Sequence, residues 1–279
     1  MPEHNAERTM VASGRVPLHQ QPWLRVALPV ALFILALCAW EAFVRIKQIP
    51  HYILPAPTLV AVTLWDNLGS LMGSWLFTMK ITFGALALAV VGGVLLAMVF
   101  ALSKWVELSL FPFAIVLQVT PIVAIAPLIL IFIDSTTAAL LLCAWIVAFF
   151  PILSNTVIGL RSADLNLRDL FQLYRASPWQ TLRHLLIPSA MPYFMAGLKV
   201  AGGLSLIGAV VAEFTAGAAG KETGLASRIL EASFRTEIPK MFAALVLVSL
   251  TGIAIYLIFN FVSWLVLGKW HESEVKAER

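Results

Sequence analysis

The sequence predicts an all-α membrane protein with six spans, and three observations carry that prediction. Only 12% of the 279 residues are charged and 60% are hydrophobic, whereas about a quarter of a soluble domain is charged. The apolar residues fall in blocks of roughly 20, the length a helix needs to cross ~30 Å of hydrocarbon. The 19 Lys and Arg are scattered between those blocks, as loop charges at membrane faces are.

The elements follow in chain order. Residues 1–25 form a polar tail. The first span is Val26–Val44. Its apolar run is longer than a signal-peptide core, and no small-x-small cleavage site follows it. The "LALC" ending at Cys38 lacks the small residue that a lipoprotein signal places before its cysteine, so the run is expected to be a retained span. Residues 45–77 form an outside loop, and the second span is Thr78–Leu102. The third, Ser109–Ile133, carries Pro121 and Pro127 in "QVTPIVAIAPLILIFI" and is expected to kink or unwind there. Thr137–Ile158, Ala190–Ala212 and Met241–Leu267 complete the set. Residues 78–267 thus make a transmembrane domain, and 268–279 a second polar tail.

Eleven basic residues lie in segments that are cytoplasmic if the N-terminus is inside: Arg8, Arg15, Arg25, Lys104, Arg161, Arg168, Arg175, Arg183, Lys269, Lys276 and Arg279. Seven lie on the other side and Lys199 within the fifth span. This bias puts both termini inside. In the second span Ala85, Ala89, Gly93, Ala97 and Ala101 recur every four residues, as do Gly197, Ala201, Ser205 and Ala209 in the fifth. Small residues at that spacing let helix backbones approach closely, which supplies the packing that hydrophobicity cannot supply in lipid. Cys38 and Cys143 sit inside apolar runs and read as small buried hydrophobes.

Between the fourth and fifth spans lies "RSADLNLRDLFQLYRASPWQTLRHLLIPS", too polar to cross a membrane. Leu167, Leu170, Phe171 and Tyr174 follow i, i+3, i+4, i+7 and make one apolar stripe. Asp164 and Arg168 stand at i, i+4 on another face. A second helix starts at "SPWQ", where Ser177 is the N-cap, Pro178 the first helical residue and Gln180 the far half of a capping box. Trp179, Leu182 and Leu186 line one side, opposite Gln180, Arg183 and His184, with Pro188 and Pro192 marking the exit into the fifth span. The pattern describes a helical hairpin on a membrane face. An amphipathic element resting on lipid headgroups and a docking knob for a soluble partner both fit it. Nucleic acid does not, because the element is tethered to the membrane on both sides and mixes acids with its basic residues.

The chain resembles the permease subunits of ATP-binding-cassette importers, particularly the nitrate/sulfonate/taurine branch. That family's loop motif reads E-A-A, three residues, G, nine residues, I-x-L-P. Here it is matched by Asp169-Leu170-Phe171, Arg175 and Leu185-Leu186-Ile187-Pro188. "SPWQTLRHLLIPSAMPYFMAGLKVAGG", "TPIVAIAPLILIF" and "FFPILSNTVIGL" are similar to other stretches of the branch, and the likeness runs from Ile53 to Leu267. Two departures stand out: bulky Leu170 and Phe171 replace alanines, and Arg175 replaces a glycine, with the Ser177-Pro178 start expected to supply the turn.

The resemblance implies a six-helix type I ABC importer transmembrane domain. In it Asp169, Leu170, Phe171, Tyr174, Arg175, Ala176, Ser177, Pro178 and Trp179 would couple to a separate ATPase. It also implies two copies of the permease, two ATPase subunits that bind ATP and Mg, and an extracytoplasmic substrate-binding protein. The chain itself has no G-x-x-x-x-G-K-[ST]; "AGAAGKETG" has the wrong spacing. No cofactor, metal site or catalytic cluster is expected on it.

For the substrate pathway the candidates are Gln118 and Thr120 beside Pro121, with Lys199 and Glu213, since ionisable groups at membrane depth usually face the bundle interior. The outside loop after Glu213 is Gly-rich and then helical around Leu225–Phe234, a gate, a binding-protein contact or a simple connector. Glu41 is expected at the interface. The competing class is an ion-coupled secondary transporter working through Lys199 and Glu213, which predicts inverted repeats that this sequence does not display. A membrane enzyme is a weaker third reading.

Overall fold

The computed structural model describes residues 22–217 and 223–268, and among them every regular element is a helix. The polar tails and the Gly-rich start of the outside loop lie outside the described residues. Five helices are long and apolar enough to span, and a sixth span results if one sharply bent pair is counted together. The six expected spans are therefore present, but two are built differently from the expectation.

The centre of the bundle is α5 (Thr136–Arg161), clamped between α2 (Pro57–Leu102) and α8 (Ile187–Ala216). Both small-residue stripes face it. Ala85, Ala89, Gly93 and Ala97 are buried, and a Cβ on Gly93 would meet Ile152 Cγ2 of α5 at 2.8 Å. Gly197, Ala201, Ser205 and Ala209 are buried too, and a Cβ on Gly197 would stand 2.8 Å from the Pro151 carbonyl oxygen. Only Ala101 of the first stripe is exposed. Backbone-to-backbone approach is thus what packs this core, as lipid-embedded bundles require.

The second span is the C-terminal part of a longer element. Helix α2 starts at Pro57 and runs 46 residues, roughly 69 Å at 1.5 Å per residue. "PTLVAVTLWDNLGSLMGSWLF" has no internal proline and begins with one at N1, so nothing stops the helix. Its first half packs Leu71 against Leu225 and Ile229 of α9 (Leu225–Phe234) and Ala244 of α10 (Ile238–Leu267).

The third span unwinds at Pro121, the sharper of the two expected outcomes. Helix α3 (Lys104–Val119) and α4 (Ile122–Phe132) meet at 100°. Thr120, which precedes Pro121, is extended at φ −74°, ψ 124°, the conformation a following proline imposes. Pro127 lies inside α4 without breaking it.

The fifth span does not end at its prolines. Helix α7 (Pro178–Thr181) passes through one π-helical turn, Leu182–Leu186, directly into α8. The Ile187 N–H donates to Leu182 O; the wide turn absorbs Pro188, which has no N–H to give and whose ring crowds the carbonyl four residues back. The hairpin and the fifth span are consequently one continuous rod.

Helix α1 (Pro22–Ile46) stands apart, almost wholly exposed to the membrane side, and Cys38 on it is exposed while Cys143 is buried. Its outer end is tied to α2 by Glu41, whose carboxylate accepts from Arg45 Nε (2.6 Å), Thr58 N (3.0 Å) and Thr58 Oγ1 (2.8 Å). Glu41 therefore caps the start of the long helix from a neighbouring one.

Candidate functional site

The hairpin joins α6 (Leu165–Leu173) to α7 and projects from one end of the bundle. Asp164 is not paired with Arg168. It is the N-cap of α6, accepting from Asn166 N at 2.7 Å and Leu167 N at 3.3 Å. Arg168 instead reaches back, its Nη2 donating to Leu160 O at 2.9 Å, and so pins the hairpin to the end of α5. Helix α7 has the predicted capping box: Gln180 N donates to Ser177 Oγ at 3.2 Å and Ser177 N to Gln180 Oε1 at 2.8 Å.

Arg175 makes the turn itself. It has φ +51°, its N–H donates to Gln172 O at 2.9 Å, and the Ala176 N–H donates to Phe171 O at 2.9 Å. These paired bonds close α6 in a Schellman turn, whose left-handed residue is ordinarily glycine. The Ser177-Pro178 start does not replace this turn; it begins the next helix. The glycine of the resembled motif and Arg175 thus serve one backbone position.

The hairpin's apolar residues turn outward. Leu173 is 81% exposed, Tyr174 78% and Trp179 60%, while Leu167 and Leu170 are also exposed and Phe171 is half-buried. Of the expected side of Trp179, Leu182 and Leu186, only Leu182 is fully buried; Trp179 is exposed, and Leu185 is the other buried residue. Asp169, Arg175, Ser177 and Pro178 are exposed and Ala176 is half-buried.

The pathway candidates do not converge. Gln118 and Thr120 line one cavity of about 320 Å³ at the α3–α4 break, whose other walls come from Ile146, Val147 and Pro151 of α5 and Leu204 of α8. No charged side chain lines it. Glu213 belongs to a different cavity, of about 260 Å³, at the α9 end. It is 1% exposed; Thr78 Oγ1 donates to its Oε1 at 2.8 Å and Ala226 N to its Oε2 at 3.0 Å. Leu225 N in turn donates to Thr78 Oγ1 at 2.9 Å. Glu213 and Thr78 therefore cap α9 against α8 and α2, and Gly224 leaves the space that the Glu213 carboxylate fills. Lys199 is half-buried in mid-α8 and lines neither cavity. Sequence reasoning missed Thr78 and Gly224, and with Thr78 and Glu213 135 positions apart no local pattern announces that pairing.

The hairpin thus faces outward from the bundle and is continuous with one of its spans. Residues 89–267 match the family described as binding-protein-dependent transport system inner membrane component. The chain belongs to this family. It is 33% identical to the riboflavin transport system permease protein RibX of Chloroflexus aurantiacus, over 92% of this chain and 94% of that protein. The formylaminopyrimidine transport permease protein ThiX of Halalkalibacterium halodurans is 31% identical, over 81% of this chain and 88% of its own length. A putative aliphatic sulfonates transport permease protein, SsuC of Bacillus subtilis, is 25% identical over 90% of this chain and 88% of itself. The fold is shared with an amino acid ABC transporter whose crystal structure contains histidines, at TM-score 0.59 and 15% identity, over 75% of this chain and 97% of that one.

The protein is thus a multi-pass inner-membrane permease of the binding-protein-dependent ABC importer type, with the type I fold. Nothing in these comparisons supports the ion-coupled transporter. A permease of this family is a transport subunit rather than an enzyme.

Proposed function

We propose that this permease works as a homodimer that takes a small solute from an extracytoplasmic binding protein and alternates access as two ATPase subunits close and open. ATP and Mg belong to those partners, and hydrolysis occurs on them. The hairpin docks into the ATPase through Asp169, Leu170, Phe171, Tyr174, Arg175, Ala176, Ser177, Pro178 and Trp179. Both termini face the cytoplasm, on the hairpin side. The observation that carries this reading is the exposure of Leu173, Tyr174 and Trp179 on an element outside the spans, doubly capped and fused to α8. Exposed apolar groups on a stiff scaffold mark a protein contact, and a continuous helix transmits displacement of that contact into the membrane.

The solute we propose is a neutral, flat nitrogen heterocycle. The cavity at the α3–α4 break supports this, since Gln118 and Thr120 are its polar side chains and it has no charged one. Two relatives above 30% identity are named for riboflavin and a formylaminopyrimidine. Gln118 and Thr120 would contact the solute in passage, Glu213 would hold the outer gate helix α9, and Lys199 would flank the path.

Uptake into proteoliposomes tests the whole reading. With ATPase and binding protein present, uptake should need ATP and vanish in Asp169→Lys while membrane insertion stays normal. Transport by the permease alone, or full transport by Asp169→Lys, would refute it. Preference for taurine or nitrate over riboflavin and a formylaminopyrimidine would refute the solute class alone.

A further inference from the structure

Three elements that lead to different places meet through charged groups at the hairpin end of the bundle. Glu107 lies in the first turn of α3, with a side chain only 10% exposed. Its Oε2 accepts from Lys104 Nζ of the same helix at 3.0 Å, and its Oε1 accepts from Arg161 Nη2, the last residue of α5. One residue earlier, the Leu160 carbonyl accepts from Arg168 of the hairpin. Hairpin, α5 and α3 are thereby linked in series. The far end of α3 is the break at Thr120–Pro121, where the cavity opens.

Among the ion pairs of the described residues, Arg161–Glu107 is the one that joins two different membrane helices; the others bridge residues three or four apart. Phe111 and Phe150 also bring α3 and α5 together, with ring centroids 6.2 Å apart, but an apolar contact tolerates sliding. A mostly buried carboxylate held between two cations resists giving one of them up, because Lys104 alone would leave its Oε1 without a partner. The pair therefore ties the start of α3 to the end of α5.

We propose that Arg161–Glu107 is a strut that carries displacement of the hairpin into α3 and on to the α3–α4 break, so that both are positioning residues of the transport cycle. The assignment rests on the importer reading above. It is tested in the assembled permease, ATPase and binding-protein complex carrying Val119→Cys as a reporter at the cavity, with exposed Cys38 replaced by alanine. Maleimide labelling of the reporter is measured with and without MgATP and vanadate, alongside the ATPase rate. The ratio of the two labelling rates should differ from unity with native Arg161, fall to unity in Arg161→Gln and recover in Arg161→Lys, while the ATPase rate persists in all three. If Arg161→Gln does not assemble, Glu107→Gln removes the same link and carries the test. An unchanged ratio in Arg161→Gln, or an ATPase rate lost together with the response, overturns the strut. No response with native Arg161 overturns the importer reading itself, and the strut with it.

Discussion

Replacing Arg175 by glycine should tighten the hairpin. Arg175 holds φ +51° with two backbone bonds depending on it, its own N–H to Gln172 and that of Ala176 to Phe171. A side chain in the left-handed region costs roughly 1–2 kcal/mol from the clash of Cβ with the carbonyl oxygen. Glycine removes that strain, but its greater freedom when the turn opens returns about 0.5–1 kcal/mol. Taking the middle of each range, the net gain is about 0.75 kcal/mol, a shift of about three- to fourfold toward the closed turn. Amide hydrogen exchange of Tyr174 and Ala176 in the full-length permease reads this directly, since the N–H of Tyr174 donates to Leu170 O and that of Ala176 to Phe171 O. Protection should rise in Arg175→Gly and fall in Arg175→Val, because a β-branched residue is a severe outlier at positive φ. Equal protection in the glycine and valine variants would refute the strain argument. Should the arginine itself touch the ATPase, Arg175→Gly would lose transport even as its turn becomes more protected, which separates backbone from side-chain roles.

Ser177→Ala removes one half of the capping box and should weaken the start of α7 by about 1 kcal/mol, seen as faster exchange at Gln180. Gly197→Ala places a methyl 2.8 Å from the Pro151 carbonyl and from Asn155 Cβ, and should cost roughly 1–3 kcal/mol in thermal unfolding of the solubilised permease. On α9, the Arg228 hydrogen bond holds the Glu231 carboxyl below its ordinary range against a smaller burial penalty, helped by the charges of Arg235, Arg228 and Lys240. Because the folded value is depressed, this stabilisation is present above the unfolded carboxyl value and is lost as pH falls through the folded one. The pairs are substantially exposed, so α9 should lose well under about 1 kcal/mol of protection in acid, and none in Glu231→Gln.

Several features were legible in the sequence because they depend on residues close together in the chain. Six apolar blocks, two small-residue stripes and the Ser177–Gln180 box are each local patterns, and each appears in the structure. Proline positions were legible as warnings without their outcomes. Pro121 broke a span while Pro127 sat inside a helix, and Pro188 widened one turn instead of ending α7. The difference lies in whether neighbouring backbone can supply the lost bond, and that depends on packing. Asp164 and Arg168 show the limit of spacing arguments. At i, i+4 they could pair, but free N–H groups at the start of α6 compete for the aspartate and the Leu160 carbonyl competes for the arginine.

By itself the sequence determined the class of molecule, because hydrocarbon accepts only apolar helices, and it determined that a polar hairpin interrupts them. The resemblance carried by that hairpin pointed to the importer family that comparison then established. Only the tertiary structure decided which charges meet. Glu213 with Thr78, Arg161 with Glu107 and Glu41 with Thr58 are each separated by more than a helical turn of chain. The Glu213–Thr78 pairing joins α8 to α2, the two helices that Gly197 and Gly93 let approach α5, a geometry that no single segment specifies. Arg175 belongs to both accounts: the motif marks its position, and its left-handed φ gives the reason glycine would suit it.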